Sequence, residues 1–306
     1  MNNLFLYTFY RFKTLTNINL HKITFDKYLL KKDIKGTILI ANEGINGSIS
    51  GSKSSLEEFI RFIKSNLKIR KINLKINKTE FLPFNRMKVR LKKEIVSLGQ
   101  GEIDVNKFRA KPIHPEHWDN IISDKNTKII DVRNKFEIEI GKFKGSINPQ
   151  TTSYREFPKV FKEMKIKKKD TIAMYCTGGI RCEKASALLK VNGFKNVFQL
   201  SGGIINYLEY MKDSKKINLW NGECFVFDTR ISINKKLKKG KYFQCYGCRH
   251  PITKEEMKLK SYKKGVSCKY CCNNRTHKQK NRSLSRQKQI EIAKQNNLLH
   301  NFKKVN

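Results

Sequence analysis

The stretch TIAMYCTGGIRC, Thr171 to Cys182, decides how the middle of this chain folds. Thr171 to Tyr175 is an apolar, β-prone run that reads as a buried strand. It ends directly on Cys176. Thr177, Gly178, Gly179, Ile180 and Arg181 follow, and beyond them Ala185, Leu188 and Leu189 recur at helical spacing. Two glycines between a strand and a helix let the backbone curl so that several N–H groups point inward. Those groups and the positive end of the helix stabilise an anion. Thiolate is the reactive form of cysteine, so this loop predicts a depressed pKa at Cys176, with Arg181 adding positive charge. Four residues separate Cys176 from Arg181. Protein phosphatases with a comparable cradle use a longer loop, and the shorter one suits a sulfur-sized group better than a phosphate. Cys182 opens the helix, either as a resolving thiol for a persulfide or disulfide or as plain packing.

Working outward, Lys128 to Arg133 (KIIDVR) and Asn196 to Leu200 (NVFQL) read as further strands, the latter closed by Gly202 and Gly203. Strands alternating with helices imply a parallel sheet with ligands at the carboxyl ends of its strands, where Cys176 lies. Asp131 and Arg133 stand at such an end and Glu137 follows. They read as a structural ion pair or as a salt bridge that orders the cysteine loop.

Before this unit, Leu4 to Phe12 reads as a strand and Phe25 to Leu30 as a short helix. Lys35 to Ser50 reads as two strands around a glycine turn at Gly44 and Gly47. Ser54 or Ser55 caps a helix carrying Leu56, Phe59, Ile60, Ile63 and Leu67. Ile72, Leu74 and Ile76 alternate, and Met87, Val89 and Leu91 make a last strand with Lys and Arg between them. The order is βαββαβ, a ferredoxin-like arrangement. The basic face of the last strand reads either as an RNA contact or as a solvated face.

After residue 216 apolar periodicity fades and cysteine and lysine take over. Cys245-x2-Cys248 and Cys268-x2-Cys271 can supply four thiolates to one tetrahedral zinc, with no open position, so the metal should be structural. Cys272, His250 and His277 are nearby alternates; a redox pair or free thiols are the competing readings. Cys224 stands alone and reads as packing.

The chain has 306 residues, 39% of them hydrophobic, enough for two or three domains with proper cores. Its formal net charge is +39. From Lys235 onward the only acidic residues are Glu255, Glu256 and Glu291. Such a charge points to a polyanion, since Lys and Arg displace counterions from phosphates. Lys, Asn and Ile also mark AT-rich codons, so codon bias contributes as well. No apolar run approaches the roughly 20 residues of a membrane span, and Met1 to Arg11 lacks a basic leader. A cytoplasmic protein without a membrane partner is expected.

Ile129 to Pro149 (IIDVRNKFEIEIGKFKGSINP), Tyr175 to Ser186 (YCTGGIRCEKAS) and Leu200 to Leu208 (LSGGIINYL) together resemble a rhodanese domain. With KGTILIANEGINGSISG near Lys35–Gly51 and the two cysteine pairs, the layout is similar to the bacterial rhodanese-domain tRNA uridine hydroxylases. That family installs 5-hydroxyuridine at wobble position 34 using oxygen. The resemblance covers nearly the whole chain and implies an α/β multi-domain fold. Residues 1–105 would be a ferredoxin-like accessory domain and 112–215 a rhodanese domain. Residues 216–306 would be a basic, cysteine-rich, zinc-binding region with a tail. It places the active-site cysteine at Cys176, makes tRNA the partner and oxygen the co-substrate. No flavin, haem or nicotinamide motif is present to explain the oxygen chemistry. A rhodanese-type sulfurtransferase carrying sulfur as a Cys176 persulfide is the alternative, and a non-catalytic RNA-binding protein the third reading.

Overall fold

The structure is a computed structural model describing residues 4–79 and 82–296. The N-terminal unit runs β1 (Leu4–Phe12), α1 (Ile18–Leu29), β2 (Lys35–Ala41), β3 (Gly44–Ser52), α2 (Lys53–Asn66), β4 (Asn73–Thr79) and β5 (Met87–Leu91). Its sheet has the order β4-β1-β3-β2-β5. The first four strands pair antiparallel in the ferredoxin-like order, and β5 joins the far edge parallel to β2. On β1, Tyr7 and Phe9 point into a core shared with Phe25 of α1 and Leu56, Phe59, Ile60 and Ile63 of α2. Burying each of the α2 side chains contributes on the order of 2 kcal/mol relative to leaving it in water.

Three local expectations change. The first helix starts seven residues earlier than Phe25, at Ile18, after Asn17 in a left-handed conformation without a side-chain cap. Asn17 is a residue type that commonly starts helices, and the expectation beginning at Phe25 passed over it. The second helix is capped by Ser52, whose hydroxyl accepts the Ser55 N–H at 3.2 Å, rather than by Ser54 or Ser55. The hairpin turns at Asn42 and Glu43, and Gly44 and Gly47 lie inside β3. Gly47 is needed there because a Cβ would sit 2.6 Å from the Phe9 ring.

The second unit runs α3 (Val105–Phe108), β6 (Lys111–Ile113), α4 (Pro115–Ser123), β7 (Thr127–Asp131), α5 (Lys135–Ile138), β8 (Gly141–Phe143) and α6 (Phe157–Glu163). It continues with β9 (Thr171–Tyr175), α7 (Ile180–Val191), β10 (Val197–Leu200) and α8 (Gly203–Lys212). The four-stranded sheet has the order β6-β10-β9-β7, and every pair is parallel. Trp118, Phe143, Tyr175 and Tyr207 fill one of its faces. Met174, Leu189, Phe157 and Phe161 fill the other.

Packing continues past residue 215. β11 (Trp220–Gly222) pairs with β8, and β12 (Cys224–Phe225) pairs with β13 (Ser232–Ile233). Trp220, Cys224, Val226 and Ile233 join the core beneath the parallel sheet. The cysteine-rich part holds the small hairpin β14 (Phe243–Gln244) and β15 (Pro251–Ile252), then α9 (His277–Gln295). Arg275 and Arg286 fasten α9 down by donating to the carbonyls of Val266, Tyr246 and Gly265. Among the described residues, no helix is long and apolar enough to cross a membrane.

Candidate active site and metal centre

Cys176 follows β9 directly and is only 1% exposed. Its Sγ accepts the Gly179 N–H at 3.1 Å. Gly179 caps α7 at φ +97°, a left-handed conformation that favours glycine. This curl aims the start of α7 at the sulfur. Burial alone raises the thiol pKa. The Cys182 thiol, the Arg181 charge and the N–H groups of Cys182 and Gly179 outweigh that and bring Cys176 down to about 6. Cys182 moves the other way, raised by burial, then by its hydrogen bond to Cys176 and by the Cys176 charge. At neutral pH the pair is therefore a Cys176 thiolate facing a Cys182 thiol.

Arg181 does not reach out to solvent. It forms two 2.7 Å hydrogen bonds to the Glu137 carboxylate, which is fully buried. It also approaches the Thr177 hydroxyl at 3.4 Å, and the Tyr154 hydroxyl donates to its carbonyl at 2.6 Å. The Asp131–Arg133 pair is separate, with Arg133 also donating to the carbonyls of Glu137 and Gly141. Of the three charged residues flagged in that segment, Glu137 alone orders the cysteine loop, through Arg181. Removing either partner strands a buried charge, which costs roughly 3–5 kcal/mol.

The loop is closed below by the start of α8. The N–H groups of Ile204 and Ile205 donate to the carbonyls of Cys176 and Thr177 at 2.9 and 3.2 Å. A Cβ at Gly203 would lie 2.4 Å from the Cys176 carbonyl oxygen, so that second glycine pair lets the two backbones meet. A Cβ at Gly178 would meet nothing within 4 Å, so the crest of the loop is the open side.

Two charged residues of α7 went unread in the sequence. Glu183 accepts from the Tyr10 hydroxyl at 2.8 Å, Asn73 at 3.2 Å and Arg109 at 3.3 Å. The Lys184 side chain is 0% exposed and holds Glu43 at 2.5 Å and Glu94 at 2.6 Å. The cysteine-bearing helix is thus clamped to the N-terminal sheet. Lys75 of β4 joins them, its Nζ 3.5 Å from Asn206 Oδ1 on α8. Burial holds the Lys75 ammonium down at about 8, against Glu209, which raises it.

The four knuckle cysteines converge: Cys245, Cys248, Cys268 and Cys271 have Sγ atoms all within 4.8 Å of one another. The pairs Cys245–Cys271, Cys248–Cys268 and Cys268–Cys271 lie 4.0, 3.7 and 4.0 Å apart. Zinc–sulfur bonds of ~2.3 Å in a tetrahedron require sulfurs about 3.8 Å apart, so the cage fits such an ion. The alternates fall outside it. His250 stacks on Tyr270 and approaches Glu139, His277 starts α9 beside Asn281, and the Cys272 thiol turns to Lys269 and Asn273. Cys224 packs in the core.

A testable consequence attaches to the thiolate. Alkylation of Cys176 by iodoacetamide should rise with pH and reach half its plateau near 6, because the reactive form lies above that pKa. A midpoint near the ordinary thiol value would contradict the cradle.

Comparison with known proteins agrees with this layout. A family model described as the UPF0176 acylphosphatase-like domain matches residues 5–95, and one for the rhodanese-like domain matches 114–209. A protein of Pelagibacter ubique named tRNA uridine(34) hydroxylase is 48% identical over 300 residues, covering 98% of each chain. Among solved structures, a rhodanese-related protein from Thermoplasma volcanium is 25% identical. It covers 33% of this chain and 92% of that one, with TM-score 0.28. A rhodanese-like domain protein from Staphylococcus aureus is 22% identical over 32% of this chain and 90% of that one, also with TM-score 0.28.

Proposed function

This chain belongs to the tRNA uridine(34) hydroxylase family, and from that premise we propose that it converts wobble uridine 34 of tRNA to 5-hydroxyuridine, with Cys176 as the reacting thiolate. The observation that carries the assignment of Cys176 is its sulfur, depressed to about 6 inside a loop of inward N–H groups. Thr177, Gly178 and Gly179 form the crest over which the base approaches. Ile180 starts the helix whose positive end faces the sulfur. Arg181, fixed by Glu137, holds the loop's shape and charge. Cys182 donates a hydrogen bond to Cys176. Acting as a resolving thiol would require losing its proton, which burial opposes.

A hydroxylase consumes oxygen, so molecular oxygen is the co-substrate. Zinc is the metal that the four-thiolate cage suits, in a structural role. The enzyme works in the cytoplasm on tRNA. A persulfide-carrying sulfurtransferase would use the same loop. The relationship to the Pelagibacter protein extends beyond the loop, through the N-terminal sheet and the cysteine pairs, and this favours the hydroxylase. Nucleoside mass spectrometry of tRNA from cells with and without the gene tests the proposal. Loss of 5-hydroxyuridine in its absence is expected, and an unchanged level would refute it.

The exposed cations of α9 are part of the tRNA-binding surface. Neutralising Lys278, Arg282 and Lys288 to glutamine should flatten the salt dependence of tRNA binding by about 2, at ~0.7 per contact. An unchanged slope would assign the basic helix to codon bias.

A further inference from the structure

The N-terminal sheet has two faces, and only one is covered by its own helices. Tyr7, Phe9 and Val89 face α1 and α2. The alternate residues face the other way. The register sets Lys75, Thr8, Ser48, Thr37 and Lys88 side by side across all five strands. All five are half-buried, and the Thr8 and Ser48 hydroxyls bond at 3.2 Å. At ~4.8 Å per strand this row is about 19 Å wide, room for a few splayed nucleotides.

One neighbouring row is Asn73, Tyr10, Asn46, Leu39 and Arg90. Its Tyr10 hydroxyl lies against the cysteine loop, 3.1 Å from where a Cβ on Gly179 would be. Lys75 meets Asn206 on the helix that closes the loop from below. The row therefore ends at its Lys75 edge against α8, beneath the cysteine loop. At the other edge, positive charge gathers from two units. Lys88 is held below the usual ammonium value by burial and then by the charges of Arg86, Arg90 and Arg249. Arg249 lies between Cys248 and His250, in the metal-binding knuckle. Among the described residues, no carboxylate forms an ion pair with Lys88, Arg90 or Arg249. Like charges this close repel one another unless an anion lies between them.

We propose that this half-buried row, flanked by the buried Leu6 and Tyr10 and bounded by Lys75 on one side and by Lys88, Arg90 and the knuckle's Arg249 on the other, is a groove for the phosphate backbone of single-stranded RNA that leads a loop nucleotide toward the cysteine loop. The inference rests on the tRNA reading given above and adds the surface that performs it. The face presents hydroxyls and cations rather than exposed aromatic rings, so it reads backbone instead of stacking bases. A net charge of +39 supplies long-range attraction, and the groove supplies direction.

The test uses the full-length protein and an anticodon stem–loop RNA. Replacing Lys88→Gln together with Arg90→Gln should lower the salt slope of binding by about 1.4, at ~0.7 per contact, and raise KM on the order of tenfold while kcat is kept at saturating RNA. Arg249→Gln, in a separate unit, should lower the slope by about half as much and keeps the test valid if the double variant folds poorly. Lys27→Gln with Lys31→Gln, at the helix-covered side, removes the same charge and should change neither. A wild-type slope in both groove variants, or a fall in kcat at unchanged KM, overturns the groove while leaving the tRNA reading intact. If the wild-type protein neither binds nor hydroxylates the RNA, the tRNA reading falls and the groove with it.

Discussion

Cys176→Ser should abolish hydroxylation, by roughly 10³-fold or more, and leave the protein folded and able to bind tRNA. The substitution is nearly isosteric, so its cost in packing stays below about 1.5 kcal/mol. A serine hydroxyl can still accept the Gly179 N–H that now reaches the sulfur at 3.1 Å. What it cannot do is ionise near 6, and the charge that the Arg181 guanidinium and the helix start are arranged around disappears. A stability change follows from the same shift. The folded pKa lies below the ordinary thiol value of 9.0, so the unfolded chain holds more protons between about 6 and 9. The wild type therefore gains stability as pH rises through that window and loses it as pH falls through about 6. The serine variant should lack this increment while behaving alike in acid. Full hydroxylation by the variant in cells lacking the wild-type gene would remove Cys176 from the mechanism.

The strand, loop and helix around Cys176 were legible because each announces itself locally: an apolar run, two glycines, then a 3.6-residue period. The cysteine pairs were legible because their short, repeated spacing is the one that lets four thiolates converge. What the sequence concealed depends on partners far along the chain. Arg181 looks like a free charge until Glu137, 44 positions away, is seen to hold it. Glu183 and Lys184 look like the solvated face of a helix, and they are buried because the N-terminal sheet docks on them. The edge strand Lys111–Ile113 escaped notice because three residues with a central proline carry no periodicity. Lys75 looked like one of many lysines on an alternating strand, and only the docking of β4 against α8 sets it apart.

Withdrawing the metal should have the second large effect, confined to one part of the chain. Elemental analysis should find about one zinc per chain, bound by Cys245, Cys248, Cys268 and Cys271. Among the described residues, Ile252, Phe243, Met257 and Tyr262 supply the apolar contacts around that cage, too few to offset the entropy of ordering the segment. Structural zinc in such sites contributes about 10–16 kcal/mol of binding, much of it spent on folding. Chelation, or Cys268→Ser, should therefore unfold the chain beyond about residue 240, and limited proteolysis would report it. Helix α9 should be lost too, because Arg275 and Arg286 anchor it to carbonyls of the knuckle region. The unfolding should stop short of Trp220 to Ile233, which are packed into the core of the parallel-sheet unit. The Cys176 alkylation midpoint should stay near 6, since its cradle is built from β9, α7, α5 and α8 rather than from the knuckles. The effect should also grow in acid, because protons compete with the metal for thiolates. A metal-free protein prepared under reducing conditions that resists proteolysis beyond residue 240 would contradict this account. Such a result would mean that the four sulfurs converge without an ion to hold them, and that α9 alone stabilises the segment.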